Sequence, residues 1–334
     1  MNTFLSSIRL SFARSSRAIL GPAIAAALAA AIGPVPTFAC SVCGCSLSSD
    51  WAAQGYSMMP GVQADVRFEY FRQSVLRSGT GAVDRSALSL PNDEEIQQST
   101  LNRNTWLDLD YVGGPSWGLT LQIPYYDRFH STIAPGDLAV STSQASGIGD
   151  VRVVGRIQRF GLQRSYGLQV GLKLPTGRFD QNFAAGPQAG ELLDRGLQLG
   201  TGTTDLLIGA SYFARPRVTL GCFAQVVLDQ PVNSRAGFRP GASLAVNSGV
   251  RFLTAGWLSP QVQLNVRWEG RETGVNSDYE NSGATIIHLS PGLTADLGTR
   301  VHGFAFVQLP VFQRVNGLQL EPRWLLSTGV RCEF

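Results

Sequence analysis

The 334-residue sequence predicts an all-β fold, a transmembrane, antiparallel, up-and-down β-barrel of about twelve strands. Three observations predict it: apolar and polar residues alternate from Gly61 onward, the connections between these segments alternate in length, and an apolar leader precedes them. A helical membrane protein would instead repeat apolar runs of about 18 or more residues. This chain has one long apolar stretch, at its N-terminus.

The N-terminus has the parts of a secretory signal peptide. Arg9, Arg14 and Arg17 form the positive region, residues 18–32 are apolar and rich in alanine, and residues 37–39 end on a small residue. We expect residues 1–39 to be removed, which takes away three arginines and no acid. The formal charge then falls from +3 to zero, because the remaining cations equal the 24 acidic residues in number. Nothing in this charge predicts a nucleic-acid partner.

Three cysteines follow the expected cleavage point, in a segment (residues 40–60) that we expect to lie in the periplasm. Cys40, Cys43 and Cys45 are spaced to bind one metal ion, or to close a small disulfide in an oxidising compartment. Gly44 stands where a c-type haem site needs histidine. Lipidation of Cys40 is a further alternative. The sequence predicts no cofactor other than a metal at this cluster, and it leaves disulfide, metal and lipid open.

Residues 61–334 form the expected barrel domain, and the first segment shows its pattern. In residues 64–70, four apolar side chains alternate with Asp65, Arg67 and Glu69. Eleven further segments follow: 103–112, 118–128, 149–160, 165–174, 203–213, 218–228, 241–253, 260–270, 284–294, 301–311 and 320–334. Twelve such strands are an even number, as bacterial single-chain barrels have.

The connections alternate between short and long. The short ones span residues 113–117, 161–164, 214–217, 254–259 and 295–300. The first two long ones span residues 72–102 and 129–148, and the first of these contains the acidic run 93–95, expected to be solvated. An outer-membrane barrel with both termini in the periplasm has this order. Aromatic residues flank the short turns, as an interfacial girdle requires: Tyr111, Trp117, Phe160, Tyr166, Phe213, Phe252 and Trp257.

The last segment ends on Phe334 after an alternating strand. This ending resembles the signal that the barrel-assembly machinery of the bacterial outer membrane reads. We therefore expect a location in that membrane, with this machinery, membrane lipid and a small-molecule solute as partners.

Four stretches resemble a known family. They are residues 147–153 (GIGDVRV), 172–177 (LKLPTG), 202–209 (GTTDLLIG) and 309–320 (LPVFQRVNGLQL). They are similar to the outer-membrane barrels grouped as the "MetA-pathway of phenol degradation" type, over roughly residues 60–334. The resemblance implies a transporter or porin for hydrophobic or aromatic compounds. Its motifs belong to strands and turns, so they predict architecture better than chemistry.

The polar face of each strand is expected to line the lumen, because an Arg or Lys facing lipid costs about 2–4 kcal/mol at mid-membrane. The candidate lumen residues are Asp65, Arg67, Glu69, Asp108, Asp110, Arg152, Arg156, Lys173, Asp205, Arg251, Arg267, Glu269, Arg323, Arg331 and Glu333. A barrel of twelve strands is intermediate in diameter between small barrels whose interior is filled by side chains and large barrels with wide channels. A narrow pore and a lumen blocked by ion pairs are both consistent with this number.

The leading functional prediction is an outer-membrane channel for small solutes, hydrophobic or aromatic by the resemblance. A metal- or redox-linked protein acting through Cys40, Cys43 and Cys45, and a non-conducting structural barrel, are the alternatives. We expect no enzyme. The one G-x-S-x-G match, residues 114–118, lies in a predicted tight turn followed by a strand, whereas a nucleophile elbow needs strand, turn and helix.

Overall fold

The computed structural model describes residues 47–48, 50–56, 60–114, 116–160, 163–254 and 256–334. In these residues the protein is all-β apart from two short 3-10 helices, Arg85–Ala87 and Arg195–Leu197. None of the helices in these ranges is long and apolar enough to cross a membrane.

Thirteen strands carry the fold in the described ranges. They are β1 (Gly61–Gly79), β2 (Gly81–Ala82), β3 (Ile96–Gly114), β4 (Trp117–Ile133), β5 (Ser141–Ile148), β6 (Arg152–Phe160), β7 (Arg164–Lys173), β8 (Asp205–Arg217), β9 (Leu220–Pro231), β10 (Ser243–Phe252), β11 (Leu258–Glu269), β12 (Ala284–Asp296) and β13 (Val301–Glu333).

Eleven of these strands form one closed antiparallel ring. The order is β1-β3-β4-β6 and then every strand in turn to β13, which pairs with β1. The two-residue strand β2 pairs with the end of β1, and β5 pairs with β4. Closure leaves the ring without an unpaired edge, which a sheet in lipid requires because no water is present to bond its backbone.

Strand β13 crosses the barrel wall twice. Its residues 302–315 pair with β12, and its residues 315–333 pair with β1. The two halves also touch each other: Gln313 Nε2 donates to Glu321 Oε2 at 3.1 Å, and Thr328 Oγ1 donates to the Phe304 carbonyl at 3.0 Å. The reversal occurs near Gly317, whose φ of +55° suits a residue without a Cβ. The wall is therefore crossed twelve times, as the sequence predicts.

Strands β5 and β6 are two pieces of one crossing. Residues 125–132 of β4 pair with β5, and residues 117–122 pair with β6. At the break between them, Asp150 accepts hydrogen bonds from the Gly177 amide at 3.0 Å and the Thr201 amide at 2.8 Å. The break thus anchors the long connection 174–204 to the barrel wall.

The two faces of the wall differ in polarity as predicted. In β1, Asp65, Arg67 and Glu69 face inward and are buried, while Val62 and Val66 face outward and are half exposed. Exposed apolar side chains cover the outer face elsewhere, among them Leu119, Ile157, Leu168, Val170, Ile208, Val262, Leu293 and Val311. An apolar outer face and a polar interior are the arrangement of a transmembrane barrel.

Several strands extend beyond their predicted ends. β1 continues to Gly79, β3 begins at Ile96, and β5 lies entirely within the predicted loop 129–148. Strands that project past the hydrocarbon region need no apolar outer face, so the alternation fades there while the backbone pairing continues. The acidic run also differs from its prediction, because Glu95 is buried rather than solvated.

Aromatic residues gather at the short-turn end of the barrel. The rings of Tyr111, Trp117, Phe252 and Trp257 are exposed there, and those of Tyr111 and Trp117 lie 5.7 Å apart. The side chain of Phe160 lies outside the described part of the structure, and among the other predicted girdle residues Phe213 is the exception. Its ring faces the interior, where it lies against Gly55 and Gly221.

Candidate functional site

A cavity of about 350 Å³ lies inside the barrel. Side chains from most of the ring and from the segment before β1 line it. The charged ones are Asp50, Asp65, Glu69, Asp108, Asp110, Arg67, Arg128, Arg152, Arg156, Arg267 and Arg331. Small-molecule sites in proteins commonly have volumes of about 300–1,000 Å³, so this cavity is large enough for a small solute.

Four carboxylates form a cluster on the adjacent strands β1 and β3. Asp65 lies directly opposite Asp108 in the antiparallel register, and Asp110 lies opposite Gln63. Glu69 follows on the same inward face of β1. Like charges opposite each other destabilise a sheet unless cations neutralise them, so this cluster requires partners of opposite charge.

Arginines from both sides neutralise the carboxylate cluster. Asp110 is bridged by two of them, with Arg156 Nη1 at 3.1 Å and Arg331 Nη1 at 3.3 Å. Arg67 Nε lies 3.0 Å from Glu69 Oε1. The two ion pairs of Asp110 join β3 to β6 and to β13, which are not its neighbours in the ring, while the pair of Arg67 and Glu69 lies within β1.

Trp106 stands between two arginines on the cavity wall. The guanidinium carbons of Arg67 and Arg152 lie 5.0 Å and 5.6 Å from its ring centre. The ring of Tyr126 meets it edge-on at 6.0 Å, with Arg128 over Tyr126 at 5.9 Å. Trp106 is not among the residues predicted to line the lumen, although its even number places it in phase with Asp108 and Asp110. The prediction selected charged side chains on the inward face, and the apolar ring of Trp106 did not meet that criterion.

The segment before β1 enters the barrel at the short-turn end. Ser48 Oγ donates to Gln225 at 2.9 Å, Gln225 donates to Asp50 at 3.0 Å, and Gln261 donates to Gln54 at 3.1 Å. Residues 51–54 are all buried. We call residues 47–56, apart from residue 49, the inner segment. It lies inside the barrel at this end.

Trp51 is the apolar anchor of the inner segment. Its ring lies 5.8 Å from Phe304 and 4.6 Å from Tyr56, and its indole nitrogen donates to the Asp65 carboxylate. Arg331 sits 5.9 Å from the same ring. Trp51 therefore couples the inner segment to the carboxylate cluster.

Two other residues fix the far end of the inner segment. Gly55 has a φ of +79°, and a Cβ there would come within 2.4 Å of the Phe213 ring. The Tyr56 ring lies 3.9 Å from the Arg251 guanidinium. Burial raises the pKa of the Tyr56 hydroxyl, and the Arg251 charge opposes this rise. The hydroxyl thus remains protonated at neutral pH.

Nine of the predicted lumen residues line the cavity. They are Asp65, Arg67, Glu69, Asp108, Asp110, Arg152, Arg156, Arg267 and Arg331. Others lie inward but away from it: Lys173 pairs with Asp205 and lies 3.8 Å from Asp150, Glu269 pairs with Arg267 at 3.1 Å, and Arg251 is buried under Tyr56. Glu333 is buried 3.9 Å from Arg331.

Arg323 lies on the exposed side of the wall instead of the lumen. Phe71 of β1 pairs with Leu325, and Gln73 pairs with Pro322, so one residue of β1 faces both Arg323 and Trp324. An extra residue of this kind breaks the strict alternation of faces. Both Arg323 and Trp324 are exposed as a result.

The long-loop end brings together carboxylates from different connections. Burial raises the pKa of Asp278 to about 7, and the charge of Glu95 adds to this rise. Burial also raises the pKa of Asp194 well above its usual range, reinforced by Glu95, Asp278 and Glu272. Glu95 and Asp194 are far in sequence from Glu272 and Asp278, and the packing of three connections makes these groups neighbours.

The cysteine cluster lies outside the described residues, so Cys40, Cys43 and Cys45 remain predictions. Cys222 and Cys332 are free and partly buried. In the described ranges, no group of three or more His, Cys, Asp or Glu side chains is arranged to hold a metal ion.

No protein-family model matches the sequence, and no curated protein matches it. Solved structures do. An outer membrane channel from Pseudomonas putida F1 superposes with a TM-score of 0.60 at 13% identity, over 84% of this chain and 98% of that one. A Pseudomonas aeruginosa FadL homologue reaches a TM-score of 0.44 at 9% identity, over 89% and 100% of the two chains. The first similarity shows that the fold is that of an outer-membrane β-barrel. The second is too weak to support an argument.

Proposed function

We propose that this chain forms a channel for small solutes in the bacterial outer membrane. The cavity inside the closed ring is the observation that carries the proposal, because it places polar and charged side chains around a space of about 350 Å³. A wall with an apolar outer face and a polar interior is built to separate lipid from solute. The structure from Pseudomonas putida F1 that shares this fold is a channel.

The solutes that we propose are hydrophobic or aromatic. Aromatic side chains line the cavity together with the aliphatic side chains of Val154, Leu207 and Val227. The aromatic residues are Trp51, Phe71, Trp106 and Tyr126. The resemblance to barrels of the phenol-degradation type supports the same class. The proposal assigns no catalytic activity to the chain.

We further propose an orientation for the barrel. The short turns and both ends of the chain would lie on the periplasmic side, and the long connections outside the cell, which is the usual arrangement of bacterial barrels. The strand ending in Phe334 would be read by the barrel-assembly machinery. The inner segment would then enter the lumen from the periplasm, directly after the cysteine cluster.

Conduction through the barrel depends on the position of the inner segment. Its buried contacts close much of the short-turn end, so a solute has to pass beside it or displace it. Cys45 lies two residues before Leu47, which lines the cavity. A disulfide or a metal at the cysteine cluster would therefore act on the segment that blocks the lumen. This proximity supports a redox- or metal-linked role as the second candidate function.

Single-channel recording of the refolded protein in a planar bilayer tests both candidates. We expect discrete current steps, larger or more frequent after addition of reductant. Current steps that reductant leaves unchanged would support the channel and remove the redox link. Silence in both conditions would contradict the channel and favour a barrel that does not conduct.

A further inference from the structure

Two guanidinium groups of the cavity are more exposed than the ion-paired carboxylates Glu69 and Asp110. The side chains of Arg152 and Arg267 are 33% and 26% exposed, whereas those of Glu69 and Asp110 are 6% and 8% exposed. Both of these acids are held in ion pairs, Glu69 with Arg67 and Asp110 with Arg156 and Arg331. A solute in the cavity can therefore reach Arg152 and Arg267 more readily than Glu69 or Asp110.

The carboxylates of the cavity already have donors. Asp65 accepts from the Trp51 indole, Glu69 from the Trp106 indole at 3.3 Å, and Asp110 from Arg156 at 3.1 Å. Asp50 accepts from Gln225 at 3.0 Å. To reach the oxygens that accept these bonds, a cationic solute would have to displace the donors, and each displaced donor would lose a charge-assisted hydrogen bond in a confined space.

Arg152 is different from the buried arginines. Its Nη2 lies 3.6 Å from Asp229 Oδ2, which is longer than a hydrogen bond, and its guanidinium carbon is 5.6 Å from the Trp106 ring. A carboxylate from a solute would meet a guanidinium that is exposed, held by an aromatic ring and able to donate two parallel hydrogen bonds.

Aliphatic side chains line a further part of the cavity. Val154, Leu207, Val227 and Ala245 come from β6, β8, β9 and β10, and each points inward at the level of the cavity. Inward aliphatic residues on four strands are unusual in a lumen whose other positions are mostly polar. They provide an apolar surface for the non-polar part of a solute.

We propose that the cavity binds a small amphipathic anion, of which an aromatic monocarboxylate such as benzoate is the simplest form. Its carboxylate binds Arg152, and its ring packs on the aliphatic surface formed by Val154, Leu207, Val227 and Ala245. This inference rests on the proposed channel function and names the solute class of that channel. It adds the charged group that a purely hydrophobic solute lacks.

Isothermal titration calorimetry of the refolded protein in detergent tests this proposal with three probes. Benzoate, benzyl alcohol and benzylamine have the same ring and differ in charge. We expect benzoate to bind and the other two to bind at least about tenfold more weakly. Equal binding of all three, or no binding of benzoate, would overturn the proposal.

Variants locate the site. Arg152→Gln should weaken benzoate binding at least about tenfold, and Arg159→Gln, at an exposed position of the same strand, should leave it unchanged. Leu207→Glu provides a second variant, since a carboxylate on the aliphatic surface would repel benzoate but not benzylamine. The three probes on the unmodified protein decide the charge preference even if a variant fails to fold. Unchanged benzoate binding in folded Arg152→Gln would contradict the site.

Bilayer recording beside the calorimetry separates the two proposals. Current steps in a protein that binds the three probes equally would support the channel and contradict the anion site. Benzoate binding that requires Arg152, in a protein without currents, would remove the channel and leave the anion site.

Discussion

Asp110 is the residue on which the interior charge balance depends. Its two carboxylate oxygens face Arg156 and Arg331, which come from strands on opposite sides of β3 in the ring. All three side chains are at most 11% exposed. Buried ion pairs contribute little net stability, but removing one partner leaves an uncompensated charge.

Replacing Asp110 by Ala is therefore expected to destabilise the barrel strongly. Two guanidinium groups would lose a shared partner, and the expected loss is about 3–5 kcal/mol in the free energy of unfolding. Urea unfolding of the protein in lipid vesicles, followed by tryptophan fluorescence, measures it.

Asp180→Ala is the matched control for this prediction. Asp180 also pairs with an arginine, Arg178, but in an exposed connection. We expect no measurable change there. If both variants unfold at the same urea concentration, the interior ion pairs do not hold the strands as inferred.

At the level of elements, the break between β5 and β6 ties a long connection to the wall. Asp150 accepts three hydrogen bonds, from the Gly177 amide, the Thr201 amide and the Thr201 hydroxyl. Connection 174–204 contributes Leu197 and Leu199 to a buried cluster with Phe183 and Ala145. The connection is therefore packed as part of the barrel.

Asp150→Ala should release the connection without unfolding the ring. The three donors would lose their acceptor, and each unpaired buried donor costs about 1–3 kcal/mol. We expect trypsin to cleave at Arg195 in the folded variant much faster than in the unmodified protein. Asp180→Ala is again the control, and an unchanged cleavage rate in Asp150→Ala would show that other contacts hold the connection.

The carboxylates at the long-loop end predict a pH dependence of the loop packing. Because burial raises the pKa of Asp278 to about 7 from the ordinary value of 3.8, the folded loop favours the protonated form. This contribution to stability is fully present below about pH 3.8 and is lost as the pH rises through about 7. Asp194 acts in the same direction, with Glu95, Glu272 and Glu280 as the neighbouring charges.

Hydrogen exchange of residues 270–283, corrected for intrinsic rates, measures this dependence. We expect stronger protection at pH 5.5 than at pH 8.5, and a smaller difference in Asp278→Asn. Asp180→Asn, at an exposed site, should keep the full difference. Protection that increases with pH would contradict the predicted direction.

At the scale of the whole molecule, the inner segment is the part of the chain that lies within the ring of strands. Trp51 contacts residues of β1 and β13 and lies at the short-turn end, where Phe304 and Phe306 join it in a buried cluster. Truncating a buried tryptophan to alanine costs about 3–5 kcal/mol. Most of that loss should fall on the inner segment, because the ring of strands closes without it.

Trp51→Ala is therefore expected to raise the single-channel conductance of the barrel. The released segment would leave the lumen wider at the short-turn end. Trp257→Ala, at an exposed position on the same end, is the control and should leave the conductance unchanged. Equal conductance in the unmodified protein and folded Trp51→Ala would show that the inner segment does not limit the flow.

The sequence by itself determined the architecture of this protein. In lipid, every strand needs an apolar outer face and a polar inner one. The alternation of polar and apolar residues in the sequence therefore predicts that Asp65 faces inward and that Val66 faces outward. The same constraint fixed the number of crossings and the alternation of short and long connections. It failed where strands leave the membrane, as at β5, and where an extra residue broke the alternation at Arg323.

Only the tertiary structure decided what the interior does. The alternation of polar and apolar residues predicts that a side chain faces inward, but not which other inward side chain it contacts across the barrel. The bridging of Asp110 by Arg156 and Arg331, the exposure of Arg152 beside Trp106, and the burial of Trp51 all depend on pairings far apart in sequence. These pairings are set by the register and closure of the ring, which no local pattern of residues records.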